Sequence, residues 1–238
     1  MSTRKRPLPT PTEVQFDALN KAYKFFNRKL FKGILPGCIL NFSRKSGTHG
    51  FMAPERWRRV GEQRYSTHEI SLTPTTLYRA PLEVFSTLVH EMAHLWQWEF
   101  GSPSRSGYHN AEWAEKMIEI GLMPSDTGKP GGKTTGQAMT HYIIDGGKYE
   151  EQFNKMPSRY ILPFTSLEGD IMKSLLTGAE GKDPEGGSVG VSLKVQKLRP
   201  RSQNKVKYSC PSCKANLWGK PELHVKCMDC DQPFEVVG

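Results

Sequence analysis

The sequence predicts an α+β fold, with a small sheet and a few helices in one substantial domain, followed by a small four-cysteine module. Three observations carry this expectation. Apolar residues recur at helical spacing over 12–31 and again over 81–100. Between them lie three short runs of strand character, at 38–43, 47–54 and 65–72. Near the C-terminus, four of the five cysteines form two close pairs. A chain of 238 residues holds one such domain and a small module.

The elements follow in order. Residues 1–11 are basic and proline-rich and are expected to be disordered. In the first helix Val14, Phe16, Leu19, Ala22, Tyr23, Phe26, Leu30 and Phe31 form the apolar stripe. The segment Gly33 to Gly37 turns the chain into the first strand, where Cys38 reads as a buried residue. A turn at Arg59-Val60-Gly61-Glu62 precedes the third strand, which directly precedes the second helix. An edge exposed on that third strand could hold an extended polypeptide by strand addition. Pro81 and Glu83 suit the start of the second helix, and Gly101 its end. Asn110 can cap a further helix over 110–120. The stretch from Met123 to Gly147 is rich in glycine, serine and threonine and reads as a loop over a cleft. Within it, Gly128-Lys-Pro-Gly-Gly-Lys-Thr-Thr fails as a phosphate-binding loop, because Thr127 stands where a glycine is required. His141 and Tyr142 could assist a transition state, with strand packing the favoured reading for both. The expected organisation is a main domain at 12–165, a flexible basic linker at 166–204 and a metal-bound module at 205–238.

Chemistry concentrates in His90-Glu91-Met92-Ala93-His94, with His109 fifteen residues further on. Residues four apart share a helix face, so His90 and His94 can reach one metal ion. Glu91 beside them is placed to act as general base in hydrolysis. The apolar stripe Leu82, Phe85, Leu88, Val89, Met92, Leu95, Trp96 leaves both histidines on a flank with Thr87 and Gln97. Two subclasses remain for the third ligand. Gln97 and Phe100 occupy the positions where a metzincin needs glycine and histidine, which excludes that arrangement. Glu112 or Glu115 would serve in a thermolysin-like site. His109, in Gly107-Tyr108-His109-Asn110, is preferred, because catalytic zinc commonly takes three histidines.

Cys210-Pro-Ser-Cys213 and Cys227-Met-Asp-Cys230 are separated by thirteen residues. Two matched pairs with no secretory signal argue for one structural zinc rather than disulfides or redox chemistry. Val206-Lys-Tyr, Leu223-His-Val and Phe234-Glu-Val-Val read as short strands around it. So small a module depends on its metal for folding. Lys205, Lys207, Lys214, Trp218 and Lys220 give it charge and an aromatic face suited to DNA, as does the run Lys194, Lys197, Arg199, Arg201 before it.

The stretch Phe85-Ser-Thr-Leu-Val-His-Glu-Met-Ala-His-Leu-Trp-Gln-Trp, then Gly107-Tyr-His-Asn-Ala-Glu-Trp, resembles the SprT-like family of zinc metallopeptidases, whose eukaryotic relatives include Spartan. Phe16 to Leu30, Asn41-Phe-Ser, Thr48-His-Gly-Phe-Met and Glu69-Ile-Ser-Leu-Thr extend the resemblance upstream. It is nearest to bacterial members, as Pro130-Gly-Gly-Lys-Thr-Thr-Gly-Gln-Ala-Met-Thr-His-Tyr-Ile suggests. The resemblance implies a zincin-like fold and a zinc on His90, His94 and His109, with Glu91 as catalytic acid–base. It also implies cleavage of proteins crosslinked or tightly bound to DNA.

The formal net charge of +9 favours an acidic partner, nucleic acid first. No apolar run approaches the ~20 residues that span a bilayer, and the N-terminus lacks an apolar core of signal type. A cytoplasmic enzyme, nucleoid-associated if bacterial, with a protein substrate, DNA as partner, no membrane partner and two zinc ions is the leading expectation. The alternatives are a zinc-ribbon DNA-binding or regulatory protein with an inactive peptidase fold, and a protease of a specific non-DNA substrate.

Overall fold

The computed structural model describes residues 8–45, 47–62, 64–168 and 205–237. The chain divides into two compact units, Met1–Gly181 and Lys182–Gly238. Residues 1–7, and residues 169–204 of the expected linker with Lys194, Lys197, Arg199 and Arg201, lie outside the described residues.

Helix α1 spans Pro11–Leu30 and opens on a capping box. The Glu13 amide donates to Thr10 Oγ1 at 3.3 Å, and the Thr10 amide donates to Glu13 Oε2 at 2.6 Å. Thr10 and Pro11 therefore belong to the helix start rather than to a disordered tail. At the far end, buried Asn27 donates Nδ2 to Leu35 O at 2.9 Å and accepts from the Leu35 amide at 3.1 Å. The end of the unit is tied back to this helix, since Gln15 exchanges two hydrogen bonds of 3.0 Å with the Phe164 backbone.

Strands β1 (Ile39–Phe42), β2 (Gly50–Arg58) and β3 (Ser66–Leu72) form a sheet in the order β1-β3-β2. Strand β3 runs parallel to β1 and antiparallel to β2. This corrects the expectation that the strand before the second helix exposes an edge. β3 is the central strand, with His68 to Leu72 buried, and β2 is an edge. The connection over 43–49 carries the chain past the β3 position, and the β2–β3 hairpin then returns it between the two strands. A register shift between Ala53 and Trp57 bends β2, with Glu55 at φ 48°.

Helix α2 spans Pro81–Phe100, as its apolar spacing predicts. It is buried on almost every side from Val84 to Gln97, so Thr87, His90 and Glu91 lie inside rather than on a polar flank. Gly101 ends it with φ −123°, an ordinary extended conformation. The glycine serves close approach instead: a Cβ there would lie 2.6 Å from Glu112 Oε2. Helix α3 (Ala111–Glu119) follows, and Asn110 Oδ1 accepts from the Trp113 amide at 3.0 Å, as the capping reading expects.

The glycine-rich stretch is only partly a loop. It contains β4 (Leu122–Ser125) and β5 (Thr140–Ile143), which pair antiparallel. Helix α4 (Lys148–Asn154) comes next. The core joins Phe26 of α1, Phe85, Leu88 and Met92 of α2, Trp113 and Met117 of α3 and Tyr149 of α4. Phe26 lies 6.1 Å from Phe85 and 5.7 Å from Tyr149, centroid to centroid. Emptying one such position, as in Phe85→Ala, costs about 3–5 kcal/mol. That packing makes α2 a rigid platform. No helix among the described residues is long and apolar enough to cross a membrane.

The C-terminal unit contains β6 (Val206–Ser209), β7 (Asn216–Gly219), β8 (Lys226–Cys227), β9 (Gln232–Pro233) and β10 (Glu235–Val237). The order β10-β6-β7 makes one sheet, and β8 pairs with β9. Strand character at Leu223-His-Val is not found: the strand begins at Lys226, and Leu223 instead donates its amide to Tyr208 Oη at 3.0 Å.

Candidate metal centre

His90, His94 and His109 each offer one ligand nitrogen, all within 4.8 Å of one another. His94 Nε2 lies 3.1 Å from His109 Nε2. Two ligands about 2.0–2.1 Å from a tetrahedral zinc stand about 3.3 Å apart, so the pair fits one ion.

The three ligands come from two parts of the fold. His90 and His94 ride on α2. His109 sits in the turn before α3, where its amide donates to Gly136 O at 2.8 Å and its carbonyl accepts from the Gly136 amide at 3.0 Å. The glycine-rich stretch therefore straps the third histidine in place. Trp113 of α3 packs behind all three imidazoles, with ring centroids 5.0 Å from His90, 5.1 Å from His94 and 4.4 Å from His109.

Glu112 and Glu115 do not join the histidines. Glu112 Oε2 accepts from Gln97 Nε2 at 2.8 Å and from the Ser102 amide at 2.7 Å. Glu115 is exposed on the outer face of α3.

Burial sets the charge state of the cluster. It drives His90 well below the ordinary imidazole range, and crowding by His94, His141, His109 and His49, which would each repel a second proton, adds to the effect. His94 is pushed down to about 3 by burial and then by His109. His109 is lowered by burial, against hydrogen bonds with the Gly136 and Gly107 backbone. The three imidazoles are thus neutral near pH 7, the form that binds a metal. Burial pushes the Glu91 carboxyl up to about 8, opposed by the Met52 backbone and the charge of Lys45. Strand β2 comes this close because Gly50 has no side chain. A Cβ there would lie 2.9 Å from Ser71 O, 3.0 Å from Thr87 Cγ2 and 3.4 Å from Glu91 Cγ.

A fourth histidine stands beside the cluster. His141 Nδ1 lies 3.0 Å from His90 Nδ1, and its Nε2 lies 2.8 Å from Ser86 Oγ. Tyr142, next to it on β5, pairs with Met123. The reading of His141 as a strand-packing residue misses its contact with the site. Ser86 carries a weak sequence signal, since it lies four residues before His90 on the same helix face. Nothing in the sequence links His141 to either.

In the C-terminal unit, Cys210, Cys213, Cys227 and Cys230 bring their sulfurs within 4.8 Å of one another. The two knuckles fold alike. The Lys214 amide donates to Cys210 O at 3.0 Å and the Asp231 amide to Cys227 O at 2.9 Å. Lys214 and Asp231 both take positive φ, at 61° and 56°. The Cys213 amide holds the Cys210 thiol down to about 7, while Cys213 is raised, its hydrogen bond with the Ala215 backbone outweighed by those with the Cys210, Cys230 and Cys227 thiols, so the cluster gives up its first proton at Cys210. Lys205 precedes β6 and is exposed. Lys207 stands directly opposite Trp218 in the β6–β7 register. Trp218 is 62% exposed, so its ring faces solvent rather than a core. Lys214 and Lys220 are exposed in the turns flanking β7. Cys38 is a member of neither ligand group, and its thiol is pushed up to about 11 by burial, which makes it a poor nucleophile.

Residues 19–134 match the model of the SprT-like family. Over 64 residues the chain is 42% identical to a Salmonella typhimurium protein described as an uncharacterized protein in the mucB 3' region. That match covers 26% of this chain and 81% of the Salmonella protein. No solved structure matches. With its histidine triad on a metallopeptidase-like domain and a cysteine cluster that could form a zinc ribbon, the chain belongs to the SprT-like family.

Proposed function

We propose that this protein is a zinc-dependent metalloendopeptidase of the cytoplasm that cleaves proteins bound or crosslinked to DNA. The observation that carries the reading is the convergence of three neutral imidazoles beside the buried carboxyl of Glu91. His90, His94 and His109 would hold the catalytic zinc, and the four cysteines a structural one. A zinc held by the histidines would supply Lewis-acid chemistry toward the scissile carbonyl and water. Glu91 would take the water proton at its carboxylate oxygen and return it to the leaving amine. Burial raises the Glu91 carboxyl in the metal-free chain, and a dication held by the histidines would favour its ionised form, the one that accepts a proton. The outer edge of β2 borders Glu91, and an extended polypeptide could add there as a further strand.

Two surfaces support the DNA reading. Around β2 stand Arg44, Lys45, Arg56, Arg58, Arg59 and Arg64, with Trp57 and Tyr65 exposed among them. Lys45 Nζ lies 4.7 Å from the Phe51 ring centroid, on the strand that borders Glu91. Cations with aromatic rings suit phosphate contact and base stacking. On the ribbon, Lys207 beside Trp218 repeats that chemistry.

The test is cleavage of a DNA-bound protein, and of the enzyme itself, with and without single-stranded DNA, with Glu91→Gln as control. Cutting that requires DNA and vanishes in the variant is the expected result. Cutting indifferent to DNA points to another substrate. No cutting by the zinc-loaded chain points to a binding protein.

A further inference from the structure

We propose that His141 and Ser86 are positioning residues that set the tautomer of His90, so that His90 presents a bare Nε2 to the metal. The inference rests on the histidine triad being a metal site.

The argument is one of donors and acceptors. Ser86 Oγ lies 2.9 Å from the Glu83 carbonyl, which can only accept, so the Ser86 hydroxyl proton points there. The Ser86 oxygen then accepts from His141, whose Nε2 lies 2.8 Å away and must carry the proton. A neutral imidazole protonated on Nε2 has a bare Nδ1. His90 Nδ1, at 3.0 Å, therefore donates to His141 Nδ1. That places the His90 proton on Nδ1 and leaves its Nε2 lone pair free. The chain runs from the helix backbone at Glu83 to the metal ligand without a missing partner.

The opposite proton order shows what the relay prevents. Were Ser86 to donate to His141 Nε2, His141 would donate from Nδ1 and His90 would carry its proton on Nε2. A protonated nitrogen has no lone pair to give a metal. The Glu83 carbonyl, fixed in the first turn of α2, biases the chain toward the ligating order. The relay also differs from the support given to His109, which is held by the Gly136 backbone. Loss of such an outer partner typically weakens metal binding 10–100-fold.

The test uses the full chain. Zinc affinity is measured by chelator competition, and cobalt(II) absorption separates the imidazole site from the four-thiolate site. His141→Leu removes the acceptor for His90 Nδ1–H. It is expected to weaken the histidine site about 10–100-fold and leave the cysteine site unchanged. His141→Asn keeps an oxygen near the place of Nδ1 and is expected to recover most of the affinity. In the wild-type protein, long-range proton–nitrogen spectra should show His141 protonated on Nε2 and His90 on Nδ1. Unchanged affinity in His141→Leu, or a His141 proton on Nδ1, overturns the relay while leaving the metal site intact. A wild-type chain whose cysteine site fills while its histidine site takes no metal overturns both.

Discussion

Gln97 of α2 donates its side-chain amide to Asn110 Oδ1 at 2.6 Å, clasping the helix of His90 and His94 to the turn that carries His109. The same Nε2 also reaches Glu112 Oε2 at 2.8 Å. One buried amide thus fixes the cap of α3 and, through it, the separation between ligands drawn from distant parts of the chain.

Replacing Gln97 by alanine removes one donor from each of two acceptors, which keep the Trp113 and Ser102 amides. The expected loss is about 1–3 kcal/mol of stability. Gln97→Glu should be worse, because it sets a carboxylate against Glu112. Urea unfolding of the metal-free chain, followed by helical circular dichroism, measures both.

Gly50→Ala should damage the site without touching a ligand. The added methyl meets the Ser71 backbone oxygen at 2.9 Å and Thr87 Cγ2 at 3.0 Å, and Thr87, branched at Cβ and accepting from Arg79 at 2.9 Å, has little freedom to turn away. Strand β2 must then move away from Glu91. Overpacking of this kind costs about 1–3 kcal/mol. Turnover should fall while zinc stoichiometry stays the same, which metal analysis beside a cleavage assay would show.

Trp113 stacks on His94 at 17° and meets His90 and His109 at 66° and 68°, all through its ring rather than a hydrogen bond from its N–H. Its Nε1 is buried with no hydrogen-bond partner among the described residues. Trp113→Phe keeps an aromatic wall and discards the unpartnered donor, so it should be far milder than Trp113→Ala, which should cost about 3–5 kcal/mol. Thermal unfolding of the two variants ranks them.

The pH dependence of the metal-free chain should be dome-shaped. His94 and His141 are held at about 3 and about 4, chiefly by burial, while unfolded histidine titrates at about 6.5. As pH falls below 6.5 the unfolded chain takes up protons that the native state refuses, so stability drops. Glu91 acts oppositely. Its carboxyl is raised to about 8 against about 4.3 unfolded, so stability drops as pH rises between those values. Each group contributes a slope of at most ~1.4 kcal/mol per pH unit. The histidines outnumber Glu91 below 6.5, which places the maximum between pH 6 and 7 by about this reckoning. Glu91→Gln should flatten the limb above pH 6.5 and steepen the limb below it down to about pH 4.3, as urea midpoints across pH in chelator would show.

How much of this is legible in the sequence depends on the range of the interaction. Helix α2 is legible to both ends, because Pro81, the apolar spacing and the histidine pair are all local. The α3 cap at Asn110 and the paired cysteines are local signals too. The strand order is not, because a parallel β1–β3 pairing across the β2 hairpin leaves no mark in residue periodicity. That is why the edge moves from β3 to β2. Glu112 reads as a possible ligand until the position of Gln97 is known. His141 reads as a packing residue because its two partners lie 51 and 55 residues away in the chain.

The central claim is that Glu91 performs the proton transfers of peptide hydrolysis at a metal held by His90, His94 and His109. The direct measurement compares zinc content and cleavage rate for wild type, Glu91→Gln and His94→Ala. Glu91→Gln should keep the metal of wild type and lose at least about 100-fold in rate, the usual minimum for a general acid–base. His94→Ala should lose the catalytic zinc and keep the ribbon zinc. A Glu91→Gln protein that cuts as fast as wild type would contradict the account.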